Sequence, residues 1–421
     1  MHIGIRRAGL LALATVGAVF LTACGSSTTP KAAGASPSTA ALTGPRVGQT
    51  ITISYTNDES AAFSLPEFRI GGQAAVDYLN RHGGINGAKI ALDTCIADAS
   101  PEGSINCANK AVAAKADIAY TGIDVASDAA MPILSAAGIP YVTSNPWGTA
   151  QDNNPDSFIL ETGSSAYAIA PLQTLKNLGD TKVAVLLENT PAGKDFVKNV
   201  VTPIGEGTLG LSITPIFVDS AHPDWTTAVT TAMASHPDGI FGQLTEADCI
   251  GMVTATSTLG FKGPVMAGSC TGYIQALGAK AVGTYISSDI FTPATKQYAP
   301  PQIQTNLDIY TAAMAADGQS KDDEGFASAA FSSIMELASV LKTIPTATPI
   351  TPAAVVAALS GDTDSPGFLG SDLHCAAHPL PTEKSSCRSD ILVFKIVKDA
   401  SGAIVKQLIG TGFQDVSPLV S

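Results

Sequence analysis

The chain has 421 residues, 45% of them apolar, with 23 Lys+Arg against 36 Asp+Glu. That length and apolar content suffice for two domains of ordinary size, each with a buried core. A net charge of −13 argues against grip on a phosphate backbone, so nucleic acid is excluded as a partner.

At the N-terminus, Arg6 and Arg7 precede an apolar run from Ala8 to Phe20. A basic start, a short apolar run and small residues at a cut site predict a signal peptide over residues 1–23. The run falls short of the roughly 20 residues that span a bilayer. "LTAC", ending at Cys24, resembles the lipobox of bacterial lipoproteins. That resemblance implies lipid on Cys24 and a mature chain that begins there, outside the cytoplasmic membrane. An ordinary cleaved signal with a coincidental cysteine is the alternative. Residues 24–46 are rich in Ser, Thr, Ala, Gly and Pro, too poor in apolar bulk to fold, and predict a flexible tether.

From Val47 onward strands and helices alternate. "TITISYT" predicts a strand and Glu67–Arg81 a helix; "KIALDTC" and a helix over 103–114 follow. "DIAYTGI" and "IPYVTS" flank a helix in "SDAAMPILSAAG", and "SFILETG" closes the first series. The rhythm restarts with a helix over 165–178, then "KVAVLLE", a helix over 191–202, "SITPIFV", a helix over 224–235 and "GIFGQL". A helix over 247–259, "PVMAG" and "AVGTYISSDIF" complete the second series. Helices over 300–317 and 325–342 read as a return to the first series. "DILVFKIVKD" and "GAIVKQLIG", joined by a "DASG" turn, read as a return to the second. Short apolar strands alternating with helices indicate right-handed βαβ units and parallel sheets. The expected fold is therefore α/β, with two doubly wound parallel-sheet lobes. The first lobe takes residues 47–162 plus 293–375, and the second takes 165–290 plus 388–418.

Beyond Cys24, six cysteines remain, an even number in an oxidising place. Spacing alone does not fix their connectivity, but it favours Cys95–Cys107, Cys249–Cys270 and Cys375–Cys387.

The stretch "GGQAAVDYLNRHGGINGAKIALDTCIADASPEGSINCANKAV" resembles the type I periplasmic solute-binding proteins of ABC importers, specifically the branched-chain amino acid binding group. "PILSAAGIPYVTS" and "LGDTKVAVLLENTPAGKDFVKN" resemble the same family in the expected order, and the likeness extends over about residues 50–415. It implies a small-molecule ligand held between two lobes by a multi-strand hinge, and an ABC permease with its ATPase subunits as partners. It also implies a monomer, no cofactor, and no chemistry on the ligand. A ligand-sensing module for a signalling partner is the alternative use of the same fold.

Aligned with that family, the ligand-contacting positions fall on Phe63, Ser64, Asp124, Ser127, Asn145, Trp147, Ala192, Thr245, Glu246 and Ser269. Where the family places a hydroxyl for an amino acid's carboxylate, this chain has Asp124, which repels an anion. Where the family places an acid for the ligand's ammonium, it has Ser269. Ala192 replaces an aromatic, and Trp147 offers a flat apolar wall. These departures argue against a simple branched-chain amino acid and favour a bulkier, cationic or uncharged polar ligand. Local roles compete: Asp124 suits a cap for a helix near Ser127, and Glu246 suits the first turn of its own helix.

"GEGTLG" matches a dinucleotide fingerprint in letters but follows a helix and precedes a strand, so it predicts a loop. His374 and His378 beside Cys375 and Cys387 are expected to belong to a disulfide-closed loop rather than a metal site. No nucleophile elbow or zinc-protease motif is present, and no catalytic residue is expected.

Overall fold

A computed structural model describes residues 42–61, 63–219, 222–320 and 325–420. Residues 1–41, with the expected signal, Cys24 and most of the tether, lie outside the described residues.

The first sheet is built from β1 (Thr50–Asp58), β2 (Lys89–Ala97), β3 (Ile118–Thr121), β4 (Tyr141–Thr143) and β5 (Ser157–Ile159). All pairs are parallel, in the order β2-β1-β3-β4-β5, with Ile53 opposite Ile118. The second sheet holds β6 (Lys182–Glu188), β7 (Ser212–Val218), β8 (Gly239–Gly242), β9 (Val265–Met266), β10 (Tyr285–Ser288), β11 (Asp390–Lys398) and β12 (Ile404–Asp415). Its order is β12-β11-β10-β9-β8-β6-β7, parallel up to β10 and antiparallel for β11 and β12. The central strands β3 and β8 are buried at every residue, as expected of a sheet covered by helices on both faces.

Helices α1 (Pro66–Arg81), α2 (Pro101–Ala114) and α3 (Met131–Ala137) serve the first sheet. Ser100 accepts a hydrogen bond from Gly103 N to start α2. In the second series come α4 (Ala166–Asn177), α5 (Pro191–Phe196), α6 (Trp225–Ala234), α7 (Glu246–Leu259) and α8 (Gly272–Leu277). Next, α9 (Pro301–Ala316) and α10 (Phe326–Thr343) pack on α1, and α11 (Pro352–Ser360) packs on α10. The alternating pattern thus yields two parallel-sheet lobes, as the strand spacing predicts. Three disulfides close, with the pairings that the spacing favours.

Local differences have identifiable causes. The strand expected over 281–291 is only Tyr285–Ser288, because Gly283 turns the chain at φ +97°. "GEGTLG" is not a plain loop: Pro203–Thr208 continue as π-helical turns, closed by Leu209 N to Ile204 O at 2.8 Å. The single helix expected over 191–202 is a short α5 followed by a π-helical stretch. Helices α8 and α11 were not anticipated.

The chain passes between the sheets after β5, after β10 and before β11, and these strands are laced together. Thr162 N donates to Asp289 Oδ2 at 3.1 Å, Thr162 Oγ1 to Asp390 O at 2.7 Å, and Gly163 N to Ser386 Oγ at 3.0 Å. Behind the lacing, Arg388 is wholly buried and donates to Glu336 Oε1 at 2.6 Å, while Glu161 Oε2 lies 3.9 Å from its Nη1. A side chain at Gly370 would collide with that guanidinium, so the position requires glycine. Burial, then the Asp289 and Glu336 charges, push Glu161 well above the usual carboxylate range.

Candidate functional site

In an open parallel sheet the crevice for a ligand lies where strand order reverses, beyond the carboxyl ends of the strands. In the first sheet this switch point falls between β1 and β3, whose exits are residues 58–65 and 122–127. In the second it falls between β6 and β8, whose exits are residues 189–190 and 243–245. The expected ligand-contacting residues gather on these exits and on those of β4 and β9.

Phe63 and Trp147 come together at the first switch point, with ring centroids 6.3 Å apart and planes inclined by 51°. Trp147 is 49% exposed, unusual for an indole, and Phe63 is half-buried against Phe68, Ile123 and Ala330. Ser64 is exposed and forms a single-residue bridge with Glu59. Asn145 is half-buried on the same loop as Trp147, its N donating to Thr143 Oγ1 at 3.1 Å. Ser164 Oγ, at the start of the second lobe, donates to Pro146 O at 3.4 Å and ties that loop to the crossover.

Asp124 and Ser127 turn inward. Asp124 is 3% exposed, accepts from Ser104 Oγ on α2, and accepts from Ala126 N at 3.0 Å. Burial raises its pKa to about 6, against these hydrogen bonds. Asp124 does not cap the turn that begins at Ser127, whose N-cap is Ala126 with no side-chain cap; it orders the loop before it, and Ser127 N donates to Asp124 O at 3.2 Å. Ser127 Oγ donates to Gln151 Oε1 at 3.4 Å.

On the second lobe, Thr245 caps α7 by accepting from Asp248 N. Glu246 is spent on the backbone: its carboxylate accepts from Thr271 N at 2.6 Å and Gly272 N at 2.9 Å. Ser269 is exposed, next to Cys270, whose disulfide to Cys249 pins the β9 exit to α7. Ala192 lies in the first turn of α5, and its side chain is outside the described residues.

Two residues escaped the sequence reading. Asp58 is fully buried at the end of β1, accepting from Ala99 N at 3.0 Å and Val125 N at 2.8 Å. Gln243, at the end of β8, carries a buried amide oxygen without a hydrogen-bond partner among the described residues. Neither fits a helix-cap motif, so sequence offers no local signal for them. Burial raises Glu59, but the hydrogen bonds from Arg69 (2.6 Å) and Asn57 outweigh it and hold Glu59 below the ordinary range.

Two surface depressions lie elsewhere. One of about 540 Å³ sits beside the Cys95–Cys107 disulfide, with Ile96 and Lys110 in its wall. The other, of about 230 Å³, is lined by Ser165, Pro203, Thr382 and Val420 among others. Neither includes an expected ligand residue. Cys375 and Cys387 are joined, and His374 and His378 each meet a backbone carbonyl, of Thr363 and Lys384. Among the described residues no cluster of His, Cys, Asp and Glu suits a metal ion, and no helix is long and apolar enough to cross a membrane.

A family model described as "Periplasmic binding protein" matches residues 49–384. Among solved structures, a solute-binding protein from R. palustris in complex with 4-hydroxybenzoate superposes with TM-score 0.70 at 16% identity, covering 87% of this chain and 97% of that one. A fatty acid ABC transporter substrate-binding protein from Thermomonospora curvata gives 0.71 at 14% identity, covering 89% and 95%. A leucine binding protein from Thermotoga maritima gives 0.67 at 15% identity, covering 86% and 99%. At these identities the likeness speaks for the fold alone. No curated protein sequence matches the chain.

Proposed function

We propose, for a chain that belongs to the periplasmic binding protein family, the role of an extracytoplasmic receptor that captures one small solute between its two lobes. The observation that carries this reading is the presence of two switch points in one chain, one of them rimmed by the exposed Trp147 and its neighbour Phe63. Phe63, Ser64, Asn145 and Trp147 form the first-lobe wall; Thr245 and Ser269 face the solute from the second. Asp124, Ser127 and Glu246 act behind this wall, by ordering the loops that present it.

Closure about the laced crossovers brings the two walls together and removes the solute from water, without chemistry on it. Lipid on Cys24 holds the loaded receptor near an ABC permease, whose ATPase subunits drive uptake. Relatives of the same fold whose descriptions name 4-hydroxybenzoate, leucine and fatty acid support a solute with an apolar face, and the aromatic pair supports a flat one.

The test is a thermal-shift screen of the chain against amino acids, amides, amines, phenols and fatty acids. A true solute at 100 times its dissociation constant adds about 2.7 kcal/mol of stability. A library in which no solute raises the melting temperature contradicts the receptor reading.

A further inference from the structure

The backbone amides around the first switch point are already in use. Val125 N and Ala99 N donate to the two oxygens of Asp58 at 2.8 and 3.0 Å, and Ala126 N donates to Asp124 at 3.0 Å. On the neighbouring exit Ala150 N donates to Asp128 Oδ1 at 2.8 Å. Exposed amides at strand exits and turns are what a parallel sheet offers to an anionic ligand group. Here the chain's own acidic side chains fill them. Arg69 is committed to Glu59 through two hydrogen bonds.

We infer that Asp58 and Asp124 are specificity-determining residues: by occupying the amides of Ala99, Val125 and Ala126 they exclude anionic solutes and restrict the receptor to neutral or cationic ones. The inference rests on the receptor reading above and sharpens it to a ligand class. Both residues work from behind the binding wall. Asp58 is fully buried and Asp124 nearly so, and a solute meets their charge and the loss of the donors rather than their atoms. Ser104, whose hydroxyl donates to Asp124, holds that carboxylate in place from α2.

The test uses a series of similar size that differs in charge: 4-hydroxybenzoate, its near-isostere 4-hydroxybenzamide, and the cationic 4-hydroxybenzylamine, titrated calorimetrically against the full chain at about pH 8, above the value of about 6 for Asp124. The amide or the amine should bind at least tenfold more tightly than the carboxylate. Asp124→Ser, which frees Ala126 N and removes the charge, should narrow that ratio to less than threefold. Asp124→Asn, which keeps the shape, serves if the serine variant unfolds, and Asp58→Asn should narrow the ratio in the same direction. Carboxylate binding equal to or tighter than that of both analogues overturns the inference and leaves the receptor reading intact. So does an unchanged ratio in variants that melt like the parent. Absence of heat with all three probes overturns it too, because charge is then not selected against the Phe63–Trp147 wall. The receptor reading stands or falls separately, on the solute library.

Discussion

The first-lobe rim and the crossover core are both acidic, yet they deal with buried carboxylates in opposite ways. At the rim, Asp58 and Asp124 hand their charge to backbone amides and a hydroxyl, each oxygen matched to a donor. In the crossovers, a buried guanidinium serves Glu336 closely and Glu161 at a distance. The rim matches each carboxylate oxygen to a donor; the core sets two acids against one arginine and raises both. On the proposed reading the contrast separates recognition from hinge, and four experiments probe it.

The largest effect belongs to the core. Arg388→Met leaves Glu336 buried without its partner and should cost about 3–5 kcal/mol in urea unfolding. Glu161→Gln, by contrast, should be neutral or stabilising, because burial and the neighbouring acids disfavour its charged form. A loss from Arg388→Met below about 1 kcal/mol would remove the arginine from its central place.

Next is the clip on the second-lobe rim. Replacing Cys249 and Cys270 by alanine opens a loop with a sequence separation of 21 residues. It should cost about 3 kcal/mol and weaken solute binding, since it frees the loop of Ser269. A pair of melting curves with and without solute separates the two effects.

Trp147→Ala should lower solute affinity by about tenfold, the scale of one aromatic contact. It should scarcely change the melting temperature of the unliganded chain, because the indole is 49% exposed. A large loss of stability with unchanged affinity would make Trp147 a packing residue and move the solute wall elsewhere.

The smallest effect is in pH. Burial raises Asp124 to about 6 and Glu383 to about 7, and burial with the Glu383 charge raises Asp152 to about 8. The folded chain binds protons there that the unfolded chain has released. Stability from these groups is full below the ordinary carboxylate range and is lost as pH climbs through these values. The melting temperature should fall by about 3–5 °C between pH 5.5 and pH 8.5. A rise over that interval contradicts the upward shifts of Asp124, Glu383 and Asp152.

The sheets were legible because their strands are short apolar runs such as "KVAVLLE", separated by helices of regular length. Helix α11 was missed although Thr351 and Pro352 carry a start signal, with Thr351 accepting from Ala354 N. The Pro-rich flanks of that segment masked it. The aromatic pair was half legible: Phe63 and Trp147 were singled out, but not their contact, which spans 84 positions. The roles of Asp58, Glu161, Glu336 and Arg388 left no local trace. Each depends on partners brought in by distant strands, and a carboxylate at a strand end looks the same whether it meets solvent, an amide or an arginine.

The central claim is that the two switch points share one solute. A crystal structure with the strongest hit from the thermal-shift library tests it most directly. The account predicts the solute against Phe63 and Trp147 on one side and against the exits of β8 and β9, at Thr245 and Ser269, on the other. Density for the solute beside the Cys95–Cys107 disulfide, or in the depression near Ser165 and Val420, with the strand exits empty, would contradict it.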